Sequence, residues 1–99
     1  MEDVPFAGGT LLRGAFPNPF AGSAQIRFDL ARPSVVSLFV VDVQGRSVRA
    51  LLRGHREAGP YHVTWDGRGN DGREMSPGFY YVILDADGRR TARSVVKLR

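Results

Sequence analysis

The stretch from Asp66 to Glu74, Asp-Gly-Arg-Gly-Asn-Asp-Gly-Arg-Glu, holds the densest set of side chains that could do chemistry. Asp and Asn oxygens on a glycine-rich loop are hard ligands of the kind calcium takes. A helix–loop–helix calcium site wants oxygens at loop positions 1, 3 and 5, glycine at 6 and glutamate at 12. Counted from Asp66, position 3 is Arg68, position 6 is Asp71 and position 12 is Pro77. The spacing fails, and Arg68 and Arg73 would repel the ion. A turn bonded to itself is the expectation, with an irregular calcium loop as the alternative. Gly67, Gly69 and Gly72 could cradle a phosphate, but no Lys-Ser/Thr pair and no helix follow them. His55 and His62 stand on different elements, and the chain has no cysteine, so no zinc set is formed. No Gly-x-Ser-x-Gly elbow occurs. Trp65, Tyr61, Tyr80 and Tyr81 could make a sugar-binding platform, although a lone Trp at a strand end is ordinarily a core plug. No catalytic residue, metal or cofactor is expected.

The elements that would position these residues are strands. Ninety-nine residues with 42% hydrophobic and 24% charged side chains make one globular domain. The glycines and prolines are spread along the chain, which implies many turns between short strands. Gln25 to Leu30 alternates, with Ile26, Phe28 and Leu30 on one side. Ser34 to Asp42 places Val36, Leu38 and Val40 inward and Val35, Phe39 and Val41 outward. Asp42 is expected to bond amides of the turn that Gly45 closes. Ser47 to Leu52 returns as its partner, and Arg53 to Gly59 reads as a polar connection. Tyr61, Val63 and Trp65 share a strand face, as do Tyr80, Val82 and Leu84. Asp85-Ala86-Asp87-Gly88 is a hairpin turn. In the closing strand Ala92, Ser94, Val96 and Leu98 are expected inward, and Arg93, Val95 and Lys97 outward. No helical period runs for three turns. About seven antiparallel strands give an all-β sandwich of immunoglobulin or fibronectin-III type over residues 11–99. Residues 1–10 read as a lead-in or linker with Gly8-Gly9 as its joint.

Charge and hydropathy narrow the partners. The net charge is +4, but thirteen of the fourteen basic residues are arginines scattered from Arg13 to Arg99. A nucleic-acid footprint would gather them on one face, so no nucleic-acid partner is expected. No apolar run reaches the ~18 residues of a membrane span. The first ten residues are acidic and short of apolar side chains, so they are not a signal peptide. An exported chain would carry its targeting sequence outside this segment.

Phe16-Pro17-Asn18-Pro19-Phe20 sets a fixed corner before the first alternating strand, with both phenylalanines free to anchor it and Asn18 placed to close an Asx-turn. Pro17-Asn18-Pro19-Phe20, Ile26-Arg27-Phe28, Val41 to Arg46, Gly59, Thr64-Trp65-Asp66-Gly67, Gly72-Arg73 and Gly78-Phe79-Tyr80 follow in order. That series resembles the Ig-like domain of the flagellar hook-capping protein type, a family overlapping with C-terminal sorting domains of the type IX (Por) secretion system. The likeness spans about residues 11–99. It implies a non-catalytic β-sandwich ending a larger exported bacterial protein, located outside the cell or at its surface. Pro17, Asn18, Pro19, Phe20, Asp42, Gly45, Trp65, Asp66, Gly67, Gly72, Gly78 and Tyr80 then have structural roles. The Trp-Asp-Gly loop fits the hook-cap version better than the sorting tail.

Three functions follow as expectations. The first is a sorting or attachment tail whose closing edge strand, Thr91–Leu98, offers backbone groups to a protein partner, with Tyr81, Val95, Lys97 and Arg99 as contacts. The second is a structural subunit whose edges pair between copies, as in a cap, scaffold or filament. The third is carbohydrate binding through Tyr81.

Overall fold

Alternation builds the core directly. In the computed structural model, which describes residues 10–99, the strands over 24–30, 34–41, 59–65 and 78–86 bury the face that their alternation selects. The strands are β1 (Leu11–Phe16), β2 (Ala24–Leu30), β3 (Ser34–Val41), β4 (Ser47–Arg56), β5 (Gly59–Trp65), β6 (Gly78–Ala86) and β7 (Arg89–Lys97). They pair antiparallel in two sheets, ordered β1-β2-β5 and β4-β3-β6-β7. Ile26, Phe28 and Leu30 of one sheet meet Val36, Leu38, Val40, Tyr80, Val82 and Leu84 of the other. Each fully buried side chain of this size stabilises by roughly 1.5–3 kcal/mol. The fold is the expected all-β Ig-like sandwich. The lead-in lies outside the described residues except for Thr10. Among the described residues no helix is long and apolar enough to cross a membrane.

Turn chemistry sets the register. Asp42 Oδ1 accepts from the amides of Gln44 and Arg46 at 2.9 and 3.0 Å, as turn aspartates do. The β6–β7 hairpin is tighter than expected. Only Asp87 and Gly88 form the turn, both at positive φ (55° and 70°), the type I′ geometry that suits a right-twisted hairpin. That turn pairs Tyr80 with Val95 and Gly78 with Lys97. Antiparallel partners share a face, so Val95 and Lys97 point inward, 0% and 1% exposed. The expected parity of β7 is therefore corrected: Ala92, Ser94 and Leu98 are exposed and Val96 is half-buried. β4 is also longer than expected. Arg53 to Arg56 stay in register with β3, because their polar side chains do not interrupt a backbone ladder.

The edges of the four-stranded sheet differ most from expectation. The outer edge of β7 is already occupied along its C-terminal half. Phe20 donates its amide to Val96 O at 2.9 Å and accepts from Leu98 N at 2.8 Å. Asn18, expected to make a local Asx-turn, reaches β7 instead. Its Nδ2 donates to Ser94 O at 3.1 Å, and its Oδ1 accepts from Val96 N at 2.8 Å. A second asparagine covers the opposite edge with one main-chain and one side-chain bond. Asn70 donates its amide to Val48 O at 2.8 Å, and its Oδ1 accepts from Ala50 N at 2.9 Å. The Asn18 side chain, and Asn70 through its main chain and side chain together, each stand in for one residue of a neighbouring strand and blunt an edge that would otherwise template pairing. The segment 94–98 thus has its ladder groups engaged, and the expectation that it is free for strand addition is corrected.

Replacing both asparagines (Asn18→Ala with Asn70→Ala) removes the side-chain bonds to both edges and leaves only the Phe20 and Asn70 main-chain bonds there. Each substitution is expected to cost about 1–2 kcal/mol. For a domain of this size that lowers Tm by roughly 4–8 °C per kcal/mol. The double variant should also associate with rising concentration, measured by light scattering. A monomer at the parent's Tm would refute the role given to the two amides.

Candidate functional site

Trp65 ends β5 with its ring fully buried. Phe20 packs against it with ring centres 5.4 Å apart and tilted 58°, and Tyr80 at 5.3 Å and 72°. Both are the inclined geometries that aromatic quadrupoles favour. The indole Nε1 donates to Arg68 O at 2.9 Å, which starts the loop back over the ring. Tyr80, at the start of β6, donates its hydroxyl to Ser76 O at 2.6 Å, the arrangement known in sandwiches as a tyrosine corner. Desolvation, reinforced by the Asp42 charge, raises the Tyr80 pKa.

The loop that follows spends its polar groups on itself. Asp66 Oδ1 accepts from Arg68 N and from Arg49 Nη1, at 3.0 and 2.9 Å. Its desolvation pushes the carboxyl pKa up, but the Arg68 amide and the Arg49 guanidinium outweigh this, and the net shift is down. Asp71 Oδ1 accepts from Arg73 N, and Arg68 donates to Gly72 O. Gly69 N reaches Arg73 O, and Met75 N reaches Gly67 O. Asn70 is committed to β4. Among the described residues no three His, Asp or Glu side chains gather as metal ligands. The arrangement is a rigid clasp.

At the centre of the clasp is a charge that the sequence reading placed in solvent. Lys97 is the one lysine of the chain and is 1% exposed. Its Nζ lies 2.7 Å from Glu74 Oε2, an ion pair without the angle of a directed hydrogen bond. Glu74 itself is half-exposed, so one end of the pair touches water. The lysine stem explains the glycine of Trp-Asp-Gly. A Cβ on Gly67 would lie 2.8 Å from Lys97 Cε and 3.3 Å from Gly22 O, and Gly67 sits at φ +79°. The signal for this contact was the β6–β7 register, which places Lys97 beneath the loop.

The other expected contacts separate. Val95 joins the core, whereas Tyr81 and Arg99 are exposed. The proposed sugar platform is not brought together, which corrects that expectation. Trp65 and Tyr80 are buried, and half-buried Tyr61 stacks on Phe28 at 5.1 Å and donates to Glu57 O. Two shallow hollows lie elsewhere. One, of about 350 Å³, runs between Arg13 and Arg93, and the other, of about 460 Å³, lies beside Leu30 and Pro60.

Comparison with known proteins agrees with this geometry. The family model of the FlgD Ig-like domain matches residues 16–89. The basal-body rod modification protein FlgD of Salmonella typhimurium is 31% identical over 91 residues. That match covers 89% of this chain, and the chain spans only 39% of the length of that relative. Among solved structures, dimeric latent PorU from Porphyromonas gingivalis superposes with TM-score 0.70 at 25% identity, over 91% of this chain and 9% of PorU. PorZ, a surface component of the type-IX secretion system of the same organism, shares the fold with TM-score 0.57 and 21% identity, over 93% of this chain and 12% of PorZ.

Two measurements check the clasp. The side-chain contact with Lys97 holds the Glu74 pKa below the ordinary glutamate value of 4.5. A depressed carboxylate contributes stability above its unfolded pKa and loses it as pH falls through the folded one. Wild type should therefore exceed Glu74→Gln in Tm at pH 6, and the gap should close as pH falls below about 4.5. A gap that does not change with pH would exclude the ion pair as its source. Gly67→Ala should cost about 1–3 kcal/mol from its left-handed backbone alone, read by urea unfolding. Lys97→Ser in the same chain should relieve only the added contact.

Proposed function

This chain belongs to the FlgD Ig-like domain family, and from that premise we propose that it is a non-catalytic recognition module of an exported, envelope-associated bacterial protein. Its task is to hold a larger protein in an assembly through protein–protein contact. The observation that carries this reading is the clasp. Trp65, Asp66, Gly67, Gly72, Gly78 and Tyr80, the family's motif residues, are all used in turns, packing or internal bonds. Pro17, Asn18, Pro19 and Phe20 close the β7 edge, and Asp42 and Gly45 form a hairpin turn. A motif spent on architecture leaves function to the surface. That supports a module without chemistry of its own, since catalysis needs a nucleophile or base poised beside a reacting atom.

A second reading, a sorting tail recognised by a secretion machinery, draws support from the likeness to PorU. It would work by the folded surface, because the ladder groups of β7 over 94–98 are engaged.

Removing residues 11–99 from the native protein distinguishes the two. In the assembly reading, the rest of the protein still leaves the cytoplasm but fails to join its envelope structure, seen by fractionation. In the sorting reading it accumulates before the outer barrier. Unchanged export and unchanged assembly would sink both.

A further inference from the structure

The two outer faces of the sandwich are unlike. Outward positions of a solvated sheet are polar, and β2 and β5 of the three-stranded sheet obey this with Gln25, Arg27, Asp29, His62 and Thr64, while its β1 edge exposes Leu11 and Phe16, the latter under the Arg27 guanidinium. The four-stranded sheet does not. Its register aligns Val41 with Tyr81, Phe39 with Ile83 and Ala50, and Phe79 with Val96, all on the outer side. Phe79 is 60% exposed and Tyr81 39%, whereas Ile83, outward as well, is only 9% exposed under its apolar neighbours. This is one continuous apolar face rather than scattered residues, and such faces mark docking sites. Nothing in the clasp or the core requires it.

Its charged border says what fits. One row across the sheet reads Arg53, Ser37, Asp85, Arg90. Asp85 is consumed by Arg90, with two bonds of 2.7 and 2.8 Å, and the Arg90 guanidinium lies over the Phe39 ring at 5.6 Å. At the β3–β4 turn Asp42 is consumed by Arg46 at 3.0 Å. Arg53 has no carboxylate within ion-pair distance among the described residues. The border therefore offers an unpaired cation at Arg53, while its nearest exposed carboxylate, Glu57, lies past the end of β4 beside His55 at 3.7 Å. A second copy would bring +4 against +4, a like-charge pairing that disfavours self-association through this face.

We infer that the outer face of β4-β3-β6-β7, centred on Phe79, Tyr81, Phe39 and Val41, docks a different protein whose surface has an apolar centre and a carboxylate at the Arg53 end. The inference rests on the reading of the chain as a recognition module and names the surface that does the recognising. Phe79 and Tyr81 supply the aromatic anchors of the contact, and Arg53 fixes its orientation.

The test places a benzophenone amino acid at Phe79, or at His62 on the polar sheet as a control, in the full native protein in its own cells. Illumination should give one heterologous adduct from position 79 and at least tenfold less from position 62. Peptide mapping should locate that adduct beside an Asp or Glu. Arg53→Glu should cut the yield at least tenfold, and a lysine at the mapped carboxylate should restore it. Adducts of two copies, adducts to residues 1–9 of the same chain, equal yields from both faces, or no adduct would each overturn the assignment. The outcome separates from the broader reading. If deleting the module disrupts assembly while position 79 gives no adduct, only this surface is wrong. If deletion has no effect, the recognition role itself fails.

Discussion

One indole holds this sandwich to its loops. Trp65 lies at the end of β5, where the chain must leave the core, and it is committed in three directions at once. Its ring packs against Phe20 and Tyr80, which belong to the corner before β2 and to β6. Its N–H takes the Arg68 carbonyl and so sets the first turn of the clasp. Phe20 is in turn paired with β7 through Val96 and Leu98. Corner, loop and closing strand thus share one buried anchor. Burying the N–H without the Arg68 carbonyl would leave a donor unsatisfied, so packing the ring and folding the loop are a single event.

Much of this was legible in the chain. β2, β3 and β6 alternate cleanly, and the structure buries the residues that alternation selects. Turn chemistry was equally readable, in Asp42-Gly45 and Asp87-Gly88. The closing strand misled because two signals competed there. Arg93 and Lys97 argued for an outward face by charge, while the hairpin turn argued by register. Register is set by backbone bonds along nine paired residues of β6, and one lysine with a carboxylate in reach does not outweigh it. Lys97 could be buried because Glu74 arrives from a loop, a contact that no local pattern announces. Asn18 escaped for a related reason. Side-chain amides favour local turns on average, yet its partners are 76 and 78 residues away.

The plugged edges and the apolar face belong to the same design problem. A four-stranded sheet presents two edges and one outer surface, and each is a route to association. Here the edges are blunted by Asn18 and Asn70, by the Phe20 ladder, and by arginines along the remainder of β4. Those devices suppress pairing by backbone, which is indifferent to sequence. The outer face is left with Phe79 and Tyr81 exposed, where association depends on side-chain shape and charge. A module with open edges would bind any strand. This one is closed to strands at both plugs, and what it retains can discriminate.

That division also explains why the motif residues say little about the partner. Trp65, Gly67, Asp42, Asn18 and Tyr80 solve problems internal to the sandwich: plugging a core, admitting a lysine stem, closing a turn, capping an edge. Residues on the outer sheet face are bound by none of these demands. Relatives can share the clasp and differ at positions equivalent to Phe79, Tyr81 and Arg53 without cost to folding, since none of the three contributes to the buried core. Family likeness therefore speaks to the architecture and not to the exposed face that the architecture presents.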